Sequence, residues 1–354
     1  MPAVLGLVAF VVYLFIFNVD FPRMLAIVQR VNVPVYSLAV SALFLQTFFF
    51  SLSWRTLLNY LSVKLSIKES FLYVWYGIFI DILIPAESVS GEISRVYLVT
   101  REQNGTSGKV VASLVSHRLI GTAVNMGAML ISLMVLLFRR QVTGLVLHLS
   151  LFVVGGTAII FGLVILLCLK EEWTLKVIDA VIRFADYITR GRWRLTRFRE
   201  KIAKAADMFH NSMREFARAP RPVATSFLFS FSSWLCGILI SYLVFVSIGY
   251  PEVSWIAIIV TNSLMIAIKG IPLGIPFEAG LPELTMPTLY SALLTEIPLD
   301  VRFTVCATAT ILIRILTVWL RFLIGFFAQQ WLGIKAATTL QEESEKLLSE
   351  TEQI

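Results

Sequence analysis

The sequence predicts an all-α integral membrane protein with about six spanning helices and two re-entrant helical hairpins in an inverted repeat. The first observation is composition: 57% of the 354 residues are hydrophobic and 15% are charged, with a mean hydropathy of +0.80. Soluble domains are less apolar and more charged than this, so a soluble protein is excluded. Six long apolar stretches are the second observation, and a proline-glutamate break that occurs twice is the third.

The long apolar stretches predict the membrane spans, because about 20 apolar residues cross a bilayer as a helix. Two others, Phe71–Pro85 and Trp255–Ile268, are too short to cross with ease, and whether they span or re-enter stays open. The first span lacks a basic start and a clear cleavage site, so we interpret it as a retained helix. The predicted spans are Ala3–Phe17, Val35–Trp54, Val110–Leu137, Leu145–Leu169, Val223–Ile248 and Phe303–Phe327.

The distribution of Lys and Arg predicts the orientation, because cytoplasmic loops collect these residues. The segment Lys170–Arg221 holds 13 of them, so we expect it to be cytoplasmic. If both short stretches re-enter, the helices that begin at Val35 and Val223 run in opposite directions. The two halves are then inverted copies, and inverted repeats with broken helices at the midplane occur in many transporters.

Apolar residues of the basic segment recur at helical spacing in two sets, Trp173 to Ile188 and Leu195 to Phe216, which predicts two amphipathic helices. We interpret them as anchors on the anionic inner leaflet. A surface that gathers acidic lipids or docks a partner enzyme is the alternative. The predicted parts of the chain are an N-terminal helix and loop (1–34), a first membrane repeat with an extra helix (35–169), a cytoplasmic linker (170–222), a second membrane repeat (223–333) and an acidic tail (334–354).

The repeated break follows each short apolar stretch: Ile84-Pro85-Ala86-Glu87 with Gly91, then Ile275-Pro276-Phe277-Glu278 with Gly280. Proline ends a helix and glycine permits unusual backbone angles, so these prolines and glycines are the predicted structural breaks. Non-helical backbone at membrane depth is tolerated only inside protein or along a wet cavity.

A new helix is expected to begin after each break, with Ser90 as a cap in the first half and Pro282 in the first turn in the second. The free N–H groups and the positive dipole end of such a helix favour a phosphate or a carboxylate.

An arginine lies within the long apolar stretch that follows each break, Arg118 in the first half and Arg314 in the second. A cation inside a span is costly and usually faces the protein interior, where it often marks a site. We predict that both are buried and hold a lipid phosphate, for which the guanidinium fork is suited. The alternative is that a carboxylate neutralises each arginine, and that the ion pair only ties helices together. The candidate carboxylates are those of Asp81, Glu87, Glu92, Glu278 and Glu283.

The residues around the breaks resemble a known family. Pro85 and the run Gly91-Glu92-Ile93-Ser94-Arg95-Val96-Tyr97-Leu98 resemble the Pro…Gly-Glu-x-x-Arg-x-Tyr/Phe pattern of the lysylphosphatidylglycerol synthase transmembrane-region, or flippase-like domain, family. His117-Arg118 is similar to its arginine in the next long helix. Pro276 to Glu283 resembles its Pro-Gly-Gly-x-Gly-x-x-Glu, with Phe277 and Glu278 in place of two glycines. The resemblance covers about Val35 to Trp331.

The resemblance implies lipid movement rather than lipid synthesis. Larger members carry a soluble aminoacyl transferase domain after the membrane region, and only about twenty residues follow Gly333 here, so we expect a stand-alone member. The implied cargo is an anionic or aminoacylated phospholipid, or a polyprenyl phosphate or glycolipid. We expect a multi-pass plasma-membrane protein that uses no cofactor and binds no nucleic acid. Its expected partners are membrane lipids, and a separate lipid- or glycan-synthesising enzyme is a further candidate.

The predicted substrate-binding residues have three roles. Arg118 and Arg314 hold phosphate, and Arg95 and Lys269 guide the headgroup at the mouths of the cavity. Glu92, Glu278 and Glu283 pair with the arginines or hold a cationic headgroup. The three histidines lack metal-binding spacing, so we predict no metal site, no catalytic residue and no enzyme.

Two alternatives to a transporter stay open. One is a membrane-embedded lipid-modifying enzyme, with Glu92 or Glu283 as a base. The other is a non-transporting scaffold of a lipid or glycan pathway. The sequence leaves the direction of transport, the energy coupling and the oligomeric state undetermined.

Overall fold

A computed structural model describes residues 21–84, 89–138, 144–188, 199–269 and 280–333, and every regular element in these ranges is helical. This confirms the predicted all-α class for the described part of the chain. The helices are α1 (Phe21–Gln29), α2 (Val33–Tyr60), α3 (Ile67–Leu83), α4 (Val89–Glu102), α5 (Ser107–Phe138), α6 (Gly144–Leu169), α7 (Glu171–Ile188), α8 (Arg199–Ala217), α9 (Pro220–Ser247), α10 (Trp255–Lys269), α11 (Leu281–Leu293) and α12 (Leu299–Gly333).

Five of these helices, α2, α5, α6, α9 and α12, are long and apolar enough to cross a membrane. They coincide, to within six residues at each end, with five of the predicted spans. The remaining predicted span, Ala3–Phe17, lies outside the described residues. The protein is therefore a multi-pass membrane protein.

The other helices near the breaks are short. In the first half α3 and α4 have 17 and 14 residues, and in the second half α10 and α11 have 15 and 13. Each pair lies between two long helices, α2 and α5 or α9 and α12. The two predicted prolines, Pro85 and Pro276, lie between the short helices and outside the described residues. The order of long, short, short and long helices thus occurs twice.

Local signals explain where the short helices begin. The α3 helix has a capping box, in which Ser66 Oγ accepts from the backbone N–H of Glu69 and the Glu69 carboxylate accepts from the N–H of Ser66. The α11 helix follows Gly280, whose φ of 97° suits glycine. Pro282 lies in the first turn of α11, as predicted.

The two long helices α2 and α9 pack along each other and make the most extensive contact between any two described helices. Three serines lie at their contact, where Ser53 Oγ is 2.8 Å from Ser226 Oγ and 2.7 Å from Ser230 Oγ. Small polar residues of this kind let membrane helices approach closely. The largest apolar cluster is centred on α9 to α12, and a smaller one around Trp54 and Tyr73 joins α2, α3, α4 and α5.

The two predicted amphipathic helices are present as α7 and α8, but α8 does not offer its apolar face to lipid. Phe216 of α8 packs against Leu57 of α2, against Leu61 at the C-cap of α2, and against Ala112 of α5. The leaflet-anchor interpretation is therefore wrong for the apolar face of α8, because protein already covers that face. On α7, Trp173 and Val177 are exposed one turn apart, so its anchoring role stays a prediction.

Gly108 of α5 makes the close contact with α8. A Cβ atom at Gly108 would clash with the backbone carbonyl of Ala205 and the side chain of Met208. We expect Gly108→Val to detach α8 and to increase cleavage of residues 199–217 in limited proteolysis. Gly121→Val is the control, since a Cβ atom at Gly121 meets nothing within 4 Å. Unchanged cleavage of the Gly108 variant would show that this contact does not hold α8.

Candidate functional site

Asp81 joins the two short helices of the first half. Its Oδ1 accepts a hydrogen bond from the Gly91 N–H at 2.6 Å and lies 2.8 Å from Ser90 Oγ. The carboxylate of α3 therefore caps the N-terminus of α4, where negative charge is favourable. Ser90 is the second residue of α4, so its predicted role as the cap is wrong. Asp81, considered from the sequence only as an alternative partner for arginine, performs that role.

Gly91 allows α3 and α4 to approach each other. It lies inside α4 rather than in the break before it, which corrects the prediction for this residue. A Cβ atom at Gly91 would clash with the Asp81 carboxylate and the Gly77 carbonyl oxygen. A Cβ atom at Gly77 would lie 3.2 Å from Arg95 Nε. Close packing, rather than an unusual backbone angle, therefore explains both glycines.

Arg118 pairs with Glu92 across the contact between α5 and α4. Its Nε lies 3.3 Å from Glu92 Oε1, and the Arg118 side chain is 47% exposed. The prediction that Arg118 is buried is therefore wrong. Adjacent helix residues point about 100° apart, and here His117 is the buried one, edge-on to the Phe50 ring with a centroid separation of 4.4 Å.

Arg95 is buried instead, with only 5% of its surface exposed. Its guanidinium carbon lies 5.3 Å from the centre of the Trp54 ring and 5.7 Å from that of Phe50. Its Nε donates to the Gly91 carbonyl at 3.3 Å. The predicted position of Arg95 at a cavity mouth is therefore wrong, because the absence of a side chain at Gly77 leaves room for it between the helices.

The second half contains a buried ion pair. Arg314 Nε lies 2.7 Å from Glu283 Oε1, and the two side chains are 6% and 14% exposed. Glu283 Oε2 also accepts from the Gly280 N–H at 2.9 Å. The predicted burial of Arg314 is confirmed. Glu283 thus joins the start of α11 to the middle of α12.

The predicted site residues fall into two groups. Glu92, Arg95 and Arg118 lie around Asp81 in the first half, and Glu283 and Arg314 form the second group. Three predicted residues, Glu278, Pro85 and Pro276, lie outside the described residues. Lys269 ends α10, but its side chain is not described.

Sequence reasoning missed Arg321, which lies in the same apolar stretch as Arg314. Its Nη2 donates to Gln46 Oε1 at 2.5 Å, and the Gln46 carbonyl accepts from Ser233 Oγ at 2.9 Å. An arginine within a span was the signal used for Arg314, and it applies equally here. A π-helical segment, Ile315–Leu320, separates the two arginines.

The chemistry of both groups is that of carboxylate and guanidinium. Among the described residues, no three His, Cys, Asp or Glu side chains come together as a metal site would require. Guanidinium groups bind phosphate through paired hydrogen bonds, and carboxylates bind amines. The two groups are therefore suited to a ligand that carries phosphate, with or without a cationic substituent.

Comparison with known proteins gives the family. The model of the lysylphosphatidylglycerol synthase TM region matches residues 3–325. The chain belongs to this family. The predicted family is therefore confirmed: this lysylphosphatidylglycerol synthase TM-region protein matches the model of the transmembrane region.

Similar proteins in archaea are UPF0104 membrane proteins. One from Pyrococcus horikoshii is 23% identical over 312 residues, which is 86% of this chain and 88% of the relative. One from Methanocaldococcus jannaschii is 23% identical over 283 residues, 78% and 79% of the two chains. One from Methanothermobacter thermautotrophicus is 22% identical over 318 residues, 88% and 89%. No solved structure gives a significant match.

Proposed function

We propose that this protein moves a phosphate-bearing lipid across the bilayer without changing it chemically. The buried Arg314–Glu283 pair carries this proposal. Both side chains are at least 86% covered, and Arg314 lies near the middle of the 35-residue α12. Charged residues inside membrane spans are costly and typically mark a substrate path. The family description, which names a lipid synthase, supports a lipid as the cargo.

The proposed architecture is an inverted repeat in which α3–α4 and α10–α11 are re-entrant hairpins. The repeated order of helix lengths supports it. In addition, each half has a glutamate in the first turn of the second short helix, Glu92 or Glu283. Each glutamate pairs with an arginine of the following long helix, Arg118 or Arg314. Such a repeat places the two groups on a path that alternately opens to either side.

In the proposed mechanism, the lipid phosphate first binds Arg118, whose side chain is the more exposed of the two. It then passes to Arg314 within the protein. Glu283, released from Arg314, can hold a cationic headgroup such as an aminoacyl substituent. The proposed cargo is an anionic or aminoacylated phospholipid, or a polyprenyl phosphate or glycolipid, and the proposed location is the plasma membrane.

The proposal is tested in liposomes that contain the purified protein, with tail-labelled phospholipids and a labelled polyprenyl phosphate. We expect movement of at least one lipid with no new chemical species, and a loss of about tenfold or more in Arg118→Ala, the effect of removing a charged hydrogen-bond donor. Arg101→Ala is the control, since Arg101 is an exposed cation at the end of α4. Equal rates for Arg118→Ala and wild type would remove Arg118 from the path.

Two other results would contradict lipid movement as the function. A chemically converted lipid would favour an enzyme with Glu92 or Glu283 as its base. Neither movement nor conversion, together with co-purification of a lipid- or glycan-synthesising enzyme, would favour a scaffold.

A further inference from the structure

One cation of the first group lies in an unusual environment. Arg95 is 5% exposed, and no carboxylate of the described residues lies within ion-pair distance of it. Its Nη1 is fully buried and has no hydrogen-bond partner in those ranges. A buried charge without a direct ion pair among the described residues is costly, so this arrangement calls for a physical explanation.

Aromatic rings and one carbonyl hold Arg95 in place. The guanidinium lies against Trp54 and Phe50 at 5.3 and 5.7 Å from the ring centres, which offsets part of the cost of burial. The bond from Nε to the Gly91 carbonyl fixes its direction. Arg95 therefore stays charged and oriented while Nη1 remains available for an anion.

Two carboxylates interact electrostatically with Arg95, Glu92 and Asp81. Asp81 already accepts two hydrogen bonds at the start of α4, so moving it would uncap that helix. Glu92 has a single described ion pair, with Arg118 on α5. Glu92 and Arg95 are three residues apart on α4, and side chains at this spacing are neighbours on a helix surface. Among the described carboxylates, Glu92 can therefore reach Arg95 with the smallest change, a rotation of its side chain.

We propose that Glu92 exchanges between the two arginines. It binds Arg118 when the site is empty, and it moves to Arg95 when a phosphate group occupies Arg118. This inference rests on the proposed function, because it assumes that Arg118 receives the phosphate. The exchange balances the charges. Before loading, Glu92 pairs with Arg118. After loading, the phosphate neutralises Arg118 and Glu92 neutralises Arg95.

The exchange also gives loading a structural consequence. The Glu92–Arg118 pair joins α4 to α5, whereas a Glu92–Arg95 pair lies within α4. Phosphate binding therefore removes one ion pair between the α3–α4 hairpin and α5 and weakens their contact. A lipid without phosphate leaves the Glu92–Arg118 pair intact, so the contact of the hairpin with α5 changes only with a phosphate headgroup.

A double-mutant cycle tests the exchange. Binding of a fluorescent-tailed phosphatidylglycerol is measured in nanodiscs of zwitterionic lipid for wild type, Arg95→Met, Glu92→Gln and the double variant. We expect Arg95→Met to weaken binding about tenfold, a coupling typical of linked sites, because the displaced Glu92 has no new partner. Glu92→Gln should bind more tightly than wild type, because the Glu92 carboxylate no longer competes with phosphate for Arg118. The double variant should bind as tightly as Glu92→Gln alone.

Direct contact between Arg95 and phosphate gives a different result. Arg95→Met would then weaken binding equally with Glu92 or Gln at position 92, and such additivity would overturn the exchange. Arg101→Met controls for the loss of one positive charge on α4. A phosphate-free fluorescent diacylglycerol controls for binding through the acyl chains and should be unaffected by all four variants.

A second substitution tests the exchange if the Arg95→Met variant does not fold. Arg95→Lys keeps a charge for Glu92 and should bind phosphatidylglycerol within about threefold of wild type, below the range of a lost coupling. A larger loss that persists in the Glu92→Gln background would contradict the exchange. The proposed function fails separately, if the wild-type protein moves no lipid in liposomes. The exchange alone fails if lipid moves and the cycle is additive.

Discussion

Replacing Arg314 by methionine is expected to lower the stability of the protein by about 3 to 5 kcal/mol and to stop lipid movement. The substitution leaves the Glu283 carboxylate, which is 14% exposed, without its cation inside a long apolar helix bundle. Breaking a buried pair by removing one partner is costly for this reason. Thermal unfolding in detergent measures the first effect, and the liposome assay measures the second.

The double variant Glu283→Gln/Arg314→Met separates structure from function. A glutamine oxygen can still accept from the Gly280 N–H, as Glu283 Oε2 does, and both charges of the described pair are removed together. We expect most of the lost stability to return, because replacing both partners of a buried pair is often neutral. Lipid movement should stay absent, since the phosphate ligand is gone. Wild-type movement by the double variant would show that Arg314 is only structural.

Gly91→Ala is expected to destabilise the α3–α4 hairpin by about 1 to 3 kcal/mol, the usual cost of overpacking. The added Cβ atom would clash with the Asp81 carboxylate and with the Gly77 carbonyl oxygen. Backbone must move to relieve the second clash, and movement of Asp81 weakens its bond to the Gly91 N–H. The apparent melting temperature in detergent should therefore fall.

Gly127→Ala is the matched control on α5. A Cβ atom at Gly127 meets nothing within 4 Å, and alanine favours a helix over glycine by about 1 kcal/mol. We expect this variant to melt at the wild-type temperature or above. If the Gly91 and Gly127 variants behaved alike, close packing of α3 on α4 would not contribute to stability.

The family and the positions of the five described long helices could be predicted from the sequence, whereas α1 lies where a loop was predicted. Membrane spans depend on an unbroken apolar length of about 20 residues, which can be counted along the chain. The break motifs interrupt that length. The short helices and the start of α11 near Gly280 could therefore also be predicted from the sequence. The burial of Arg314 within its span was also predictable, because a membrane span offers a cation few other environments.

The roles of Arg95 and Arg118 could not be predicted in this way. Both are arginines near the first break, and the one in the longer apolar stretch was expected to be buried. Tertiary packing reversed this order: Gly77 leaves space for Arg95 between helices, and His117 occupies the buried direction beside Arg118. The position of an arginine in the chain gives its depth in the membrane, whereas the rotation of its helix gives the direction in which its side chain points.

The sequence by itself determined the membrane class, the long helices, the family and the presence of arginines within apolar spans. These depend on residues that are adjacent in the chain or recur at fixed spacing. Only the tertiary structure decided which carboxylate meets which arginine, that Asp81 caps α4, and that α8 packs on α5 instead of offering its apolar face to lipid. The reason is physical: a rotation of about 100° separates neighbouring residues of a helix, and contacts with other helices fix that rotation.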